Sequence, residues 1–197
     1  STYQDIRADH NIPHDTTGYF RKPEWHQNLR GYVLLQRATQ AMDEHEIAVK
    51  ALERIVRVIE TPKSTGRICG LEALSAWEAI LRDDRNFDVD AGTFGWRYLC
   101  FSINTTMLLD QLCAQPFLDA IARWVPKYER MMQTASDLCR QNNETIKRCQ
   151  SMIADNFAPE AQENLRDSGV REAYADLVRD IRNRTEALAG TIKSCVG

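Results

Sequence analysis

The spacing of apolar residues predicts helices along most of the chain, beginning with a long amphipathic segment. Pro23 suits the first position of a helix that ends near Glu60. In the second half of this segment apolar residues recur every three or four positions, which places Ala48 and Leu52 on one helix face. Residues 1–22 have little periodicity, so we expect an irregular N-terminal segment there.

Polar stretches enclose the next predicted helix. Residues 61–66 are rich in turn-forming residues and predict a turn. Residues 71–82 predict a helix because Leu74, Trp77 and Leu81 share one face. The polar, acidic stretch after this helix predicts a loop.

The most apolar segment of the chain, residues 94–114, predicts a helix at the centre of the fold. Apolar side chains on nearly every side of a helix indicate that other elements surround it. Pro116 is expected to end this helix, and residues 117–125 are expected to add a further turn or two. The residues expected to be fully buried are Leu99, Ile103, Met107 and Leu108.

The last part of the chain has the most regular pattern. Over residues 126–153 and 170–196, spacings of three and four alternate, which is typical of helices that pack along a seam. We predict an antiparallel hairpin folded about residue 161, in which opposed residues have numbers that sum to about 322. Each seam contains one polar interruption, Asn142 or Arg184. Arg184 is expected either to hydrogen-bond the Asn142 amide or to extend to solvent.

These elements define the fold class and the division of the chain. No segment has the strict alternation of a strand, so the sequence predicts an all-α protein. The expected architecture is a helical bundle with a buried central helix and a long C-terminal antiparallel helical hairpin. The predicted divisions are an irregular segment over residues 1–22, a helical bundle core over residues 23–125, and the hairpin over residues 126–197, packed on the core or projecting from it.

Charge and composition argue against a nucleic-acid partner and against a membrane-spanning helix. The chain has 197 residues, of which 43% are hydrophobic and 27% charged, and its formal net charge at pH 7 is −3. These values are typical of a soluble globular protein, and neither half of the chain is basic enough to attract a phosphate backbone. No apolar run approaches the ~20 residues that a membrane-spanning helix needs. We therefore expect no nucleic-acid partner and no membrane span.

Six cysteines leave the cellular compartment open. They are Cys69, Cys100, Cys113, Cys139, Cys149 and Cys195. An even number of cysteines, together with Asn-x-Thr sequons at Asn104, Asn143 and Asn183, would suit an exported chain with disulfides. Free cysteines that fill the core would suit a cytoplasmic chain, which we favour. In the predicted hairpin, Cys195 lies too far from Cys139 and from Cys149 for a disulfide within one chain.

The sequence contains no arrangement typical of catalysis or of metal binding. His10 and His14 have the spacing of two ligands on one helix face, but Pro13 between them interrupts the helix. Cys69, next to Arg67 and Gly70, is the best candidate for a thiolate nucleophile, yet it has no neighbouring histidine in the sequence. The chain has no CxxC pair, no Glu-x-x-His motif and no glycine-rich phosphate loop. We expect a protein without cofactor or metal, and without enzymatic activity.

The first class of function that remains is binding. In this class the chain is a non-enzymatic protein that acts by contact with another protein or by self-association. Such a protein would be a secreted effector, an immunity or secretion-apparatus component, or an assembly subunit. The contacts expected on the outer faces of the C-terminal hairpin are Arg148, Arg179, Asp180 and Arg182.

The alternative is a small-molecule-binding protein, or an enzyme, with its site inside the bundle. Polar residues on the otherwise apolar segment 94–114 would form this site, namely Arg97, Asn104 and Asp110. A closed apolar cavity would favour this alternative, whereas an exposed apolar strip would favour protein–protein contact.

Overall fold

The structure is a computed structural model, and it describes residues 43–109, 114–153 and 163–196. The side chains of residues 106–109 are outside this description, and so are Asp110 and Cys113. The irregular segment predicted over residues 1–22 and the first half of the helix predicted from Pro23 also lie outside the described residues.

Six α-helices make up most of the described chain. In chain order they are α1 Glu44–Glu60, α2 Gly70–Arg82, α3 Ala91–Leu109, α4 Ala114–Trp124, α5 Glu129–Ile153 and α6 Ser168–Val196. A short hairpin joins α1 to α2, in which β1 Lys63–Ser64 pairs antiparallel with β2 Arg67–Ile68. Single 3₁₀ turns at Asp84–Asn86 and Pro126–Tyr128 precede α3 and α5. The prediction of an all-α helical bundle is confirmed.

Aspartates fix the starts of two helices. The carboxylate of Asp90 accepts hydrogen bonds from the backbone N–H of Thr93 at 3.0 Å and from its hydroxyl at 2.6 Å, at the start of α3. The Asp167 carboxylate accepts from the backbone N–H of Val170 at 3.0 Å, at the start of α6. Because the first N–H groups of a helix have no partner within it, these caps determine where α3 and α6 begin.

The start of α2 depends on a glycine. Gly70 has a φ of +56°, and a Cβ at this position would collide with the backbone carbonyl of Ile59, near the end of α1. Glycine adopts this backbone conformation at no steric cost. The backbone N–H of Cys69 also donates to the Pro62 carbonyl at 2.9 Å. The beginning of α2 is therefore held directly against the end of α1.

The bundle has two apolar cores, and α5 and α6 contribute to both. One core joins these helices to α2 and α3, and its buried residues include Leu81, Tyr98 and Tyr174. The other core joins them to α1 and α4, through residues such as Leu52 and Ile121. Helix α6 contacts α1, α2 and α5, so it is the central helix of the described bundle.

Helix α3 is not the central helix that its composition predicts. One face of α3 is buried, through Phe94, Tyr98 and Phe101. Leu99 is only partly buried and Ile103 is 46% exposed, so the prediction that both are fully inside is wrong. An apolar helix face is buried only where neighbours cover it, and the described elements leave this face of α3 open.

A complete helix, α4, follows where the sequence predicts only a turn or two. Pro116 lies in its first turn, where a missing N–H has no helical partner to lose, so the prediction that Pro116 ends a helix is wrong. Leu118 and Ile121 of α4 are buried in the second core.

Helices α5 and α6 pack antiparallel in a register that differs from the predicted one. Asn142 Nδ2 donates to Thr185 Oγ1 at 3.2 Å, about one helical turn further along α6 than predicted. Near the other end of the pair, Cys195 Sγ lies 3.4 Å from Met131 Sδ. The connection over residues 154–162 lies outside the described residues.

Candidate binding groove

A groove opens on one side of the bundle, between α2 and α3. Its cavity has a volume of about 780 Å³. The end of α1 contributes Val58, the β-hairpin contributes Ile68, and α6 contributes the buried Thr185 to the floor. The groove therefore joins elements from both ends of the described chain.

One wall of the groove is a single face of α2. Gly70, Ala73 and Trp77 follow one another along it at helical spacing. The small residues at the start of α2 leave room for an occupant, and the close approach of Gly70 to α1 closes this end. Trp77 stacks on Phe101 of α3, with ring centroids 6.1 Å apart, so its indole has a fixed position.

The opposite wall is the open face of α3. Arg97, Cys100 and Asn104 follow one another along it, and Trp96 at its edge is 70% exposed. Two residues that the sequence assigns to a polar site, Arg97 and Asn104, therefore line one cavity. The third, Asp110, lies outside the described residues. Apolar walls with a few polar groups are typical of binding sites.

Two hydrogen-bond donors of the groove have no partner among the described residues. They are Arg97 Nη1 and Trp77 Nε1, both of which are buried. The described lining contains no acidic side chain, and Arg97 is its one charged residue. A buried donor without an acceptor costs about 1–3 kcal/mol of stability.

Large apolar side chains are exposed along the groove. Val58 is 55%, Ile68 49%, Ile80 43% and Trp96 70% exposed, and all four line the cavity. Ile103, on the open face of α3, is 46% exposed. Single exposed apolar residues are common on proteins, but a contiguous group of them marks a binding surface. The cavity is therefore an open apolar strip and not a closed pocket.

A buried polar layer between α5 and α6 adjoins the groove floor. Thr185 Oγ1 accepts from Asn142 and donates to the Ile181 carbonyl at 2.7 Å. Arg184 Nη1 donates to Thr145 Oγ1 at 2.8 Å. The two polar residues of the predicted seam thus each pair with a threonine of the opposite helix, and of the two arrangements expected for Arg184 the bond to the Asn142 amide is not formed.

Two asparagines of α5 contain buried atoms without a partner among the described residues. These atoms are Asn142 Oδ1 and both amide atoms of Asn143. Asn143 also begins one of the three sequons, and it is only 4% exposed. In the folded chain this sequon has no room for a glycan, whereas Asn104 and Asn183 are exposed.

Two of the predicted partner contacts, Arg179 and Arg182, interact with side chains of α2. Arg179 Nη1 lies 3.8 Å from Glu78 Oε1, and Arg182 Nε donates to Ser75 Oγ at 2.9 Å. Both side chains thus have intramolecular partners that an incoming protein would have to replace. Contact with a partner at these two residues stays a prediction.

The other two predicted contacts differ from each other in their surroundings. Asp180 Oδ2 lies 3.7 Å from Arg184 Nη2, one turn away on the same helix. Arg148 of α5 is exposed. The four predicted contacts are distributed over the surfaces of α5 and α6, and none of them lines the groove.

The described cysteines differ in their reactivity. All five are free: Cys69, Cys100, Cys139, Cys149 and Cys195. Burial raises the pKa of the Cys139 thiol to about 11 and that of the Cys149 thiol to about 12, so neither is a nucleophile near neutral pH. Cys69, the nucleophile candidate of the sequence, is partly buried, and its Sγ lies 3.5 Å from the Arg67 carbonyl oxygen. Cys100 alone among these five is exposed.

Within the described ranges, no three residues among His, Cys, Asp and Glu are grouped as a metal site would require. None of the helices in these ranges is both long enough and apolar enough to cross a membrane.

Comparison of the chain with protein families, with curated proteins and with solved structures gives no match. A proposal about function therefore depends on the groove itself.

Sequence reasoning found part of this site and missed the rest. Arg97 and Asn104 were found because they are polar residues in an apolar helix. Val58, Ile68 and Trp96 were missed because each resembles an ordinary core residue in the sequence. The available signal was the excess of apolar residues around α3, more than one buried face can use.

Proposed function

We propose that this protein is a non-enzymatic helical protein that acts by protein–protein contact, and that the groove receives an apolar helical segment of a partner protein. The observation that supports this proposal most directly is the exposed apolar strip along the groove, with Trp96 70% exposed at its edge. Burial of this strip by a partner would contribute roughly 25 cal/mol per Å² of apolar surface removed from water. Tryptophans in such positions often dominate the binding energy.

A second candidate function, small-molecule binding, is favoured by the size of the cavity. Its volume of about 780 Å³ lies within the range of about 300–1,000 Å³ that is usual for ligand pockets. A ligand confined to this cavity would nevertheless leave Ile103 and most of Trp96 in water. A helix of three to four turns, about 16–22 Å long, would cover both, and we therefore favour the protein segment.

Cross-linking from within the groove tests the proposal. A benzophenone attached to the exposed Cys100 of the full chain is expected to cross-link to a partner polypeptide in a lysate of the source cells. Ile80→Asp and Trp96→Ser should abolish this product, because they change the exposed walls. Trp124→Ser is the matched control, since Trp124 is 49% exposed on α4 and does not line the groove.

Three outcomes would contradict the proposal. One is the same cross-linked product in the wall variants and the control. Another is a product that is lost only when Arg179 and Arg182 are changed to glutamate, which would place the contact on α6. The third is a small bound molecule in native mass spectrometry of the purified chain, displaced by Ile80→Asp, which would favour the second candidate.

A further inference from the structure

We infer that the groove recognises a carboxylate on its occupant through Arg97, so that the preferred partner segment is apolar with one acidic residue. This inference rests on the proposed function, which it makes more specific. It depends on the positive charge of Arg97 and on a described lining that contains no acidic side chain.

The charge of the groove is positive and uncompensated. Arg97 is the one charged residue of the described lining, and a guanidinium stays protonated at any physiological pH. Glu78 follows Trp77 on α2. Its carboxylate accepts a hydrogen bond from Arg82 at 3.1 Å and lies 3.8 Å from the Arg179 guanidinium. No carboxylate of the described lining is therefore available to Arg97.

A carboxylate suits the Arg97 guanidinium better than other groups do. It has two oxygen acceptors, and hydrogen bonds to a charged group contribute about twice as much as those between neutral groups. A lysine on the occupant would be repelled by Arg97 and would offer no acceptor. The exposed apolar walls at Val58, Ile80 and Trp96 require that the residues flanking the acid be apolar.

Selection from a random peptide library tests this inference without knowledge of the partner. The probe is a phage-displayed library of 16-residue peptides, selected on the immobilised full chain and on Arg97→Met. Peptides selected on the natural chain should contain Asp or Glu at one fixed position among apolar residues. Replacement of this acid by Gln or Asn should weaken binding by about tenfold or more, because a charged hydrogen bond is lost.

Variants separate recognition from a structural role. On Arg97→Met the preference for the acid should disappear, while Arg97→Lys retains part of it. Arg97→Met should unfold at the same temperature as the natural chain or a higher one, because it removes a buried donor that has no partner. Arg123→Met, an exposed arginine on α4, is the matched control and should retain the preference.

The results that would overturn the inference differ from those that would overturn the proposed function. Selected peptides without an enriched acidic position, or with the same acidic position on Arg97→Met, would show that the groove does not recognise a carboxylate while leaving groove binding intact. A marked loss of stability in Arg97→Met would identify Arg97 as a structural residue. If no peptide is enriched at all, the inference and the helical-segment proposal both fail.

Discussion

Helix α6 packs against three other helices along its length, whereas helix α3 buries one face and leaves a second apolar face open. Charged residues occur along all 29 residues of α6, yet Tyr174, Ile181 and Ile192 are at most 1% exposed. Helix α3 is far more apolar, yet it exposes Trp96 and Ile103. The buried stripe of α6 faces α1, α2 and α5 in turn, while the second apolar face of α3 borders the groove.

The difference shows that apolar content and burial are separate properties of a helix. Apolar content sets how much surface a helix can usefully bury, and the neighbouring elements set how much it does bury. In α6 the two match, because each buried residue meets another helix. In α3 the apolar surface is larger than the neighbouring helices cover, and we assign the uncovered part to a partner.

Truncation of one isoleucine in each helix should give the largest contrast. Ile181 is 1% exposed and Ile103 is 46% exposed. Ile181→Ala should lower the free energy of unfolding by about 2–5 kcal/mol through the cavity that it leaves. Ile103→Ala should lower it by about 0.5 kcal/mol or less. Urea denaturation followed by circular dichroism measures both, and equal losses would mean that α3 is as enclosed as α6.

Thiol reactivity compares α3 with the partner helix of α6. Cys100 of α3 is exposed, whereas Cys139 and Cys149 of α5 are each 2% exposed. Under native conditions the two buried thiols should react with iodoacetamide at least about a hundredfold more slowly than Cys100, equivalent to ~2.7 kcal/mol, because they need an opening of the fold. Peptide mass spectrometry over a time course measures the three rates. Comparable rates would show that the α5–α6 core opens readily.

Two substitutions in the polar layer of the α5–α6 interface should change the free energy of unfolding by smaller amounts and in opposite directions. Thr185→Val removes the acceptor of Asn142 Nδ2 and should destabilise the chain by about 1–3 kcal/mol. Asn142→Leu has nearly the same shape and removes a buried oxygen without a partner, and Thr185 retains its bond to the Ile181 carbonyl. This variant should be neutral or more stable by about 1 kcal/mol. Thermal unfolding of both variants measures these changes in stability. Equal losses of stability in the two variants would mean that all polar atoms of the Asn142 amide have hydrogen-bond partners.

The pH dependence of stability should follow the buried thiols of α5. Burial raises the pKa of Cys139 to about 11 and of Cys149 to about 12 from an ordinary 9.0, so the folded state retains these protons to higher pH than the unfolded state. Their contribution to stability is complete below pH 9 and is lost as the pH rises from there to about 11 or 12. Between pH 9 and pH 10 each should cost about 1 kcal/mol. Urea midpoints across this range should decline less steeply in Cys149→Ala than in the natural chain, and an equal decline in both would show that Cys149 is not a source of the pH dependence.

The sequence was sufficient for the helices whose apolar residues form one stripe. In α1 and α5 the alternation of three and four residues identifies the helix and part of its buried face, which in α5 includes Ala135, Asn142 and Cys149. The register between α5 and α6 could not be predicted in the same way. The register depends on which side chains pack together across the interface, and here Asn142 and Arg184 each donate a hydrogen bond to a threonine of the other helix.

The groove could be predicted only in part. Arg97 and Asn104 were accessible because a polar residue in an apolar helix requires an explanation. Val58 and Ile68 were not, since their exposure results from how the end of α1 and the hairpin meet α2. No local pattern contains this information.

The frame of the groove, which is the contact between α1 and α2 at Gly70, and the walls of the groove differ in how freely their residues can be substituted. Gly70 lies so close to the Ile59 carbonyl that any side chain there would push α2 away from α1, so the spacing of the frame is fixed. The walls at Ile68, Ile80 and Trp96 are exposed, and substitutions at such positions usually change folding stability by only about 0.5 kcal/mol. Evolution or laboratory selection can therefore alter what the groove accepts while the fold stays the same, and related chains with this frame are expected to differ most in their partners.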